Sequence, residues 1–503
     1  MSNHLLSLLI WLPVVGAIPV LLAGAGRPGL ARWISLLVAV ATFAASLALL
    51  PAYDAATGTL QLSESMSWIP SLGINYSLAV DGISVALIVL TTFVQILVIV
   101  GAWEVIQNKP HQYMAAMLVL EGAMVGVFCA TDAMLFYVFF EAMLIPMFIL
   151  IGIWGGPRRV YATLKFFIYT FFGSIFMLIG LIYLYHKTGG SFAMSDMANV
   201  HLTMTEQTWL FFAFLLGFAI KVPMVPVHTW LPDAHVEAPT GGSVVLAAVM
   251  LKIGGYGFLR FSLPIVPDAS HEFAWLIIVL SLIAVCYIGY VALVQQDMKK
   301  LVAYSSIAHM GFVTLGIFIA FLLVRESQNA DAARLGMQGA MVQMISHGFV
   351  SGAMFSCIGV LYDRMHTRMI RDYGGVANVM PWFAVLFVFF GMANSGLPGT
   401  SGFVGEFMVI LASFQKHPYI AVAAALTLII GAAYTLWLVK RVLYGEVAND
   451  HVAELQDINW REALVLGVFA LGVLAIGVYP KPLTDLMQTS IAQLAMQLAT
   501  SKL

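Results

Sequence analysis

Cysteine and charge are both scarce in this sequence. The three cysteines, Cys129, Cys286 and Cys357, each lie in an apolar run. They read as inert core thiols, which excludes a disulfide framework or a cysteine metal cluster. Charged residues make up 10% of the 503 positions, apolar residues 61%, and the net charge is −2. A soluble chain of this length needs a charged surface, and too few charges are present to cover one. Nor does the charge balance point to nucleic acid. A phosphate loop, a cysteine cluster and a haem motif are all missing. The string GAGRPG at Gly24–Gly29 fits GxGxxG, but it follows an apolar helix rather than a strand, so it reads as a loop. A metal site from His228 and His235 is disfavoured by the prolines near them and by the lack of a carboxylate–histidine motif. Redox and nucleotide chemistry are therefore expected elsewhere.

What is present is apolar length. The mean hydropathy is +0.93. The chain reads as a polytopic membrane protein with the bilayer as solvent. The first run, MSNHLLSLLIWLPVV, has no Lys or Arg ahead of it and no clear small-residue cleavage site. It is expected to stay as a first span rather than act as a signal peptide. Apolar runs of about 20 residues predict about 14 transmembrane helices. Two of them are interrupted: 207–228 by Pro223 and Pro226, and 378–414 by PGTSG.

The predicted fold is an all-α polytopic membrane protein with two inverted five-helix repeats, each containing a broken helix. Interrupted helices in matching positions are the sequence mark of such repeats, with the functional site near the breaks. The expected divisions are 1–78 (two spans and an external loop), 79–111 (the third span), 112–263 (spans four to eight), 264–445 (spans nine to thirteen) and 446–503 (the last span and a tail). In that tail Leu483, Leu486, Met487, Ile491, Leu494 and Leu498 recur at helical spacing. It is expected to lie along the outer membrane surface, against a neighbour, or as a frayed end.

Basic residues divide unevenly between the two sets of loops. One set carries Arg27, Arg32, Lys109, Arg158, Arg159, Lys299, Lys300, Arg364, Arg368, Arg371, Lys440, Arg441 and Arg461. The other carries only Lys187, Arg260, Arg325, Arg334, Lys416, Lys481 and Lys502. By the positive-inside rule the richer set is cytoplasmic, so both termini are expected outside. Lys165, Lys221 and Lys252 remain within the spans.

Buried charges are the candidate site. Glu141 sits in LFYVFFEAMLIPMFIL, Lys221 in FAFLLGFAIKVPM, Lys252 in LAAVMLKIGGYGF and Glu406 in SGFVGEFMVIL. A charge at the bilayer centre costs about 2.5–3.5 kcal/mol, so four unpaired ones would cost roughly 10. They must pair, face a wet interior or titrate. Static ion pairs that staple helices are the plainer alternative. Two acids and two bases on separate spans, two of them beside helix breaks, fit a proton relay better. Lysine suits the task because burial moves its pKa readily, whereas arginine stays charged. A Glu141–Lys221 pair would hold Lys221 protonated, and weakening it would release a proton toward Lys252. His309 and His347, with polar neighbours one turn away, are possible relay members, and His228 and His235 weaker ones. Glu104 and Asp132 read as span-end charges, while Glu121 and Lys165 have no evident place.

The stretches FFEAMLIPMF, KVPMVPVHTWLPDAHVEAPT, QQDMKKLVAYSSIAHMG and LPGTSGFVGEF resemble the antiporter-like subunits of respiratory complex I, the proton-pumping NADH:quinone oxidoreductase. The likeness runs from about residue 79 to 445. The wider family includes subunits of multisubunit cation/proton antiporters and membrane-bound hydrogenases. Within it the chain is most like the M branch. It carries Glu406 where sister chains L and N typically carry lysine, it has no room for the long lateral helix of chain L, and fourteen spans match. The resemblance implies that Glu141 and Lys221 form a coupling pair, Lys252 a central relay and Glu406 the outlet side, with His309 and His347 on the polar axis between. It also implies a bacterial inner-membrane location, chains L and N as neighbours, and no cofactor in this chain. FMN, iron–sulfur clusters and quinone would belong to partner subunits.

Overall fold

Residues 4–503 are described by a computed structural model. Among the described residues, twelve helices are long and apolar enough to cross a membrane. Two further segments are discontinuous: Met204–Lys221 followed by Trp230–Glu237, and Pro381–Asn394 followed by Ser401–Lys416. Together they occupy the fourteen stretches that the apolar runs predict.

Burial sorts these helices into a centre and a rim. In Thr240–Ile265 the whole apolar stretch is buried, in Met298–Arg325 94% and in Ala330–Met365 89%, against 22% in Trp460–Val478 and 28% in Pro28–Ala52. The three central helices are the ones that carry Lys252, His309 and His347. Rim helices turn large apolar side chains outward, among them Leu22, Ile168, Trp382 and Ile429. Lipid or protein neighbours suit that surface, and water does not.

Charged side chains gather at the two ends of the bundle. At one end Arg364 makes two bonds of 2.8 Å with Glu462, Arg368 pairs with Asp297 at 2.6 Å and Glu237 at 3.3 Å, and Arg461 pairs with Glu104. At the other, Arg325 pairs with Asp268 at 2.7 Å, Lys416 with Glu326 at 2.6 Å, and Arg260 with Asp81. Each of these arginines and lysines sits with the loops that the basic-residue count assigned it to. Several of the acids also cap helices. Asp132 accepts from Met134 N and Leu135 N at 2.9 and 3.0 Å, and Asp297 from Lys299 N at 2.9 Å. A capping carboxylate satisfies backbone donors that lipid cannot.

Two regions depart from the helical expectation. The connection after the second span holds an antiparallel hairpin, Gln61–Ile69 with Ile74–Val80. Its Glu64 accepts from Leu6 N at 2.8 Å and so caps the first helix. The alternation of LQLSESMSW is the strand signal, short enough to be lost between apolar helices. The tail is neither frayed nor free: Lys481–Leu498 is a helix docked on its own chain. Met487, Ile491, Leu494 and Leu498 are buried. Ser490 Oγ bonds Gly82 N at 3.1 Å, and Arg325 Nε donates to Leu498 O at 2.7 Å.

Candidate functional site

Both helix breaks follow from residue chemistry. After Lys221, Pro223 and Pro226 withhold two backbone donors, and the chain turns through 222–229 before Trp230–Glu237 resumes. After Asn394 the segment 395–400 turns on Gly396 and Gly399, whose φ angles are +75° and +91°. Only glycine adopts such angles without strain. A Cβ at Gly396 would also stand 3.1 Å from Glu406 Oε2, so this glycine leaves room for the carboxylate.

Lys252 lies on a helix that is locally widened. A π-turn spans Leu246–Met250 and a second Phe258–Ser262. Such turns recur at functional sites because they re-aim side chains and carbonyls. Lys252 Nζ donates to Ala247 O at 2.5 Å and lies 2.7 Å from His347 Nδ1. On the far side, His309 Nδ1 lies 2.7 Å from Glu406 Oε1, which also accepts from Gln343 Nε2 at 3.3 Å. The His309 and His347 rings are 5.9 Å apart between centroids. Both line one cavity of about 10 Å³, with Gln343, Ser346 and Asn394, room for roughly one water. Four of the residues singled out in the sequence thus form one row: Lys252, His347, His309, Glu406.

Hydrogen-bond logic gives the row a direction. If Lys252 is an ammonium it donates to His347 Nδ1, so a neutral His347 carries its proton on Nε2. If Glu406 is a carboxylate it accepts from His309 Nδ1–H, so a neutral His309 has a lone pair on Nε2. Neither Nε2 has a hydrogen-bond partner among the described residues. A donor and an acceptor are therefore left on two rings that share a water-sized cavity.

The Glu141–Lys221 end is built differently. Lys221 is 2% exposed, yet its Nζ has no hydrogen-bond partner among the described residues. It faces the Phe140 ring at 4.8 Å and the Phe166 ring at 5.9 Å. Glu141 stands within electrostatic reach of it, beside Ser174, but no direct ion pair joins the two among the described residues. The direct contact expected between them is therefore replaced by aromatic faces. Aromatic faces attract a cation without fixing its direction, by about 2 kcal/mol when desolvated. Toward Lys252 the backbones are close: a Cβ at Gly254 would stand 2.7 Å from Phe218 O.

Other candidates fall outside the row. His235 is fully buried, stacks on Phe355 at 4.4 Å between centroids, and has neither ring nitrogen bonded among the described residues. His228 is half-buried in the break. Glu121 is buried with no partner for either oxygen among the described residues. Lys165, unplaced by the sequence, pairs with Asp233 at 2.7 Å and ties its helix to the one after the first break. Sequence reasoning missed Gln343, although a glutamine one turn before His347 on an apolar helix was the signal. It also missed the Ala247 carbonyl, which no side-chain pattern announces.

Known proteins share the sequence and the fold of this chain. Residues 130–431 match the family described as NADH:quinone oxidoreductase/Mrp antiporter, TM. The chain is 48% identical to NADH-quinone oxidoreductase subunit M of Rhodobacter capsulatus, over 98% of this chain and 96% of that one. It superposes on a chain of respiratory complex I from Thermus thermophilus with a TM-score of 0.88 at 29% identity, covering 99% and 100% of the two chains. A chain of the Mrp complex from Dietzia sp. DQ12-45-1b shares the fold at a TM-score of 0.84 and 20% identity, over 99% of both. The fold alone does not separate the branches of the family, whereas the sequence identity does. This chain belongs to the NADH:quinone oxidoreductase/Mrp antiporter membrane family, as an antiporter-like subunit of the subunit M type.

Proposed function

We propose that the chain moves protons across the membrane as a subunit of NADH:quinone oxidoreductase, driven by electron transfer in partner subunits. The observation that carries this reading is the row Lys252, His347, His309 and Glu406, which joins two hydrogen-bonded pairs across a cavity the size of one water. Histidine can take a proton on one nitrogen and release it from the other. Lys252 would be the central node and Glu406 the outlet side. Lys221, held among aromatic rings within reach of Glu141, would be the coupling group. Its cation is positioned but not bonded, so a change at Glu141 would alter its proton affinity without breaking a hydrogen bond. His228 stays at the margin of the scheme.

On this reading the two units 112–263 and 264–445 are inverted repeats, and the two helix breaks are their matching features. FMN, iron–sulfur clusters and quinone belong to partner subunits, and chains L and N flank this one. The basic end of the bundle is cytoplasmic, in a bacterial inner membrane, and both termini are periplasmic. A cation/proton antiporter without redox partners is the competing reading, and Glu406 in place of lysine disfavours it. The test is purification of the intact complex and reconstitution into vesicles. Flavin and iron–sulfur subunits should co-purify, and NADH should drive acidification that Lys252→Met reduces. A complex that lacks those subunits, or one that pumps normally with Lys252→Met, would overturn the reading.

A further inference from the structure

The row leaves one question open on the basic end of the bundle: where its protons come from. Three cavities meet there at Val105 and Asp363. A polar cleft of about 1140 Å³ is lined by Glu104, Asp363, His366, Glu454 and Glu462. A second, of about 320 Å³, is lined by Glu237, Lys299, Tyr362 and Asp363. A third, narrow and mainly apolar, of about 70 Å³, runs inward past Tyr113, Gly241, Ser356, Gly359 and Asp363. Asp363 is the acid common to all three.

Its bonding also sets it apart. Arg364 is held by Glu462, and Arg368 by Asp297 and Glu237. The Asp363 side chain makes no hydrogen bond or ion pair among the described residues, although it is half-buried among these groups. Lys299, which shares the second cavity, is 4% exposed and donates to Ala238 O at 2.8 Å. Three residues before Ala238 comes His235, with both ring nitrogens unbonded among the described residues. The His235 ring stacks on Phe355 at 4.4 Å. Phe355 lies midway along the Ala330–Met365 helix between Asp363 and His347, eight residues or about 12 Å from each. His235 therefore stands at the middle level of a path of about 24 Å from the cleft to the Lys252–His347 pair.

We infer that Asp363 is the proton-collecting group of this chain, and that His235 relays protons from it to Lys252. Asp363 takes a proton from water in the cleft. Water in the adjoining cavities carries it past Lys299. His235 accepts it on one ring nitrogen and releases one from the other to water, which passes a proton on to the neutral amine of Lys252. No electron moves, and each proton accepted at one group is one released by the group before it. This step rests on the reading of Lys252 as a relay.

The test uses the complete complex in uncoupled membranes, where a blocked proton step slows NADH:quinone turnover. Asp363→Asn is expected to slow turnover about 100-fold, the low end for loss of a positioned proton-transfer group. Asp363→Glu should keep the wild-type rate, and added formate, a small weak acid, should restore Asp363→Asn. Asp450→Asn, an exposed acid on the same end, should change nothing. Wild-type turnover in Asp363→Asn with slow turnover in Lys252→Met would overturn the uptake route and leave the relay standing. Wild-type turnover in both would overturn the relay itself. Slow turnover in both Asp363→Asn and Asp363→Glu, without rescue by formate, would assign Asp363 a structural role and overturn the inference. If Asp363→Asn fails to assemble, His235→Gln carries the test: a comparable slowing supports the route, and a wild-type rate overturns it.

Discussion

Lys221 and Lys252 are the same residue type at the same burial, 2% and 0% exposed, and they are held in opposite ways. Lys252 is bonded to a carbonyl and a histidine. Lys221 has two phenyl rings and no hydrogen bond among the described residues. A bonded ammonium has a defined partner to hand its proton to. An ammonium over aromatic faces feels the field around it and has no such partner. Burial alone therefore does not distinguish the two lysines: on the proposed reading one is wired into the relay and the other is poised.

The largest expected effect breaks the poised side. Glu141→Gln and Lys221→Ala should each largely abolish NADH-driven proton pumping in vesicles while the complex still assembles. Normal pumping in both would show that the Lys221 end is only a structural anchor. A smaller effect is expected at the far end of the wired side. Glu406→Ala removes the acceptor of His309, whereas Glu406→Lys keeps a titratable group, so pumping should survive better in the lysine variant. Equal defects in the two would remove Glu406 from the outlet. Smaller again is Phe140→Leu, which takes away the nearer ring face of Lys221. A loss of about 1–2 kcal/mol of cation–π attraction should lower the pumping rate several-fold with no change in assembly. An unchanged rate would mean that the ring is packing alone. Smallest is Glu121→Gln, since Glu121 lies off the row. Its pumping rate should match wild type, and a large loss would require a second route through the helix Pro110–Cys129.

Much of this was legible in the sequence because lipid imposes length. All fourteen spans and both interruptions could be read from apolar runs, prolines and glycines, and the sorting of basic loops holds in the contacts at the two ends. The identities of Glu141, Lys221, Lys252 and Glu406 stood out because charges within spans are expensive. Which charge meets which was not legible. Helical spacing gives a side chain's face but not the helix opposite it, so Lys252 could be named and its bond to His347 could not. The Glu141–Lys221 contact is expected from charge, and the aromatic rings that Lys221 faces lie on the helices Ala133–Ala142 and Arg159–Lys187, distant in sequence from the lysine. The docked tail was hidden for a similar reason: its apolar stripe is plain, but nothing in it says that the partner surface is built mainly by the helices Gly82–Val105 and Ala330–Met365.

The most direct measurement is the NADH-driven proton-pumping rate of the intact, reconstituted complex carrying His347→Gln. Glutamine keeps an acceptor for Lys252 and nearly the same volume, but it cannot take up and release a proton. If Lys252, His347, His309 and Glu406 form one route, pumping falls sharply while the subunits remain assembled. Pumping at the wild-type rate would contradict it.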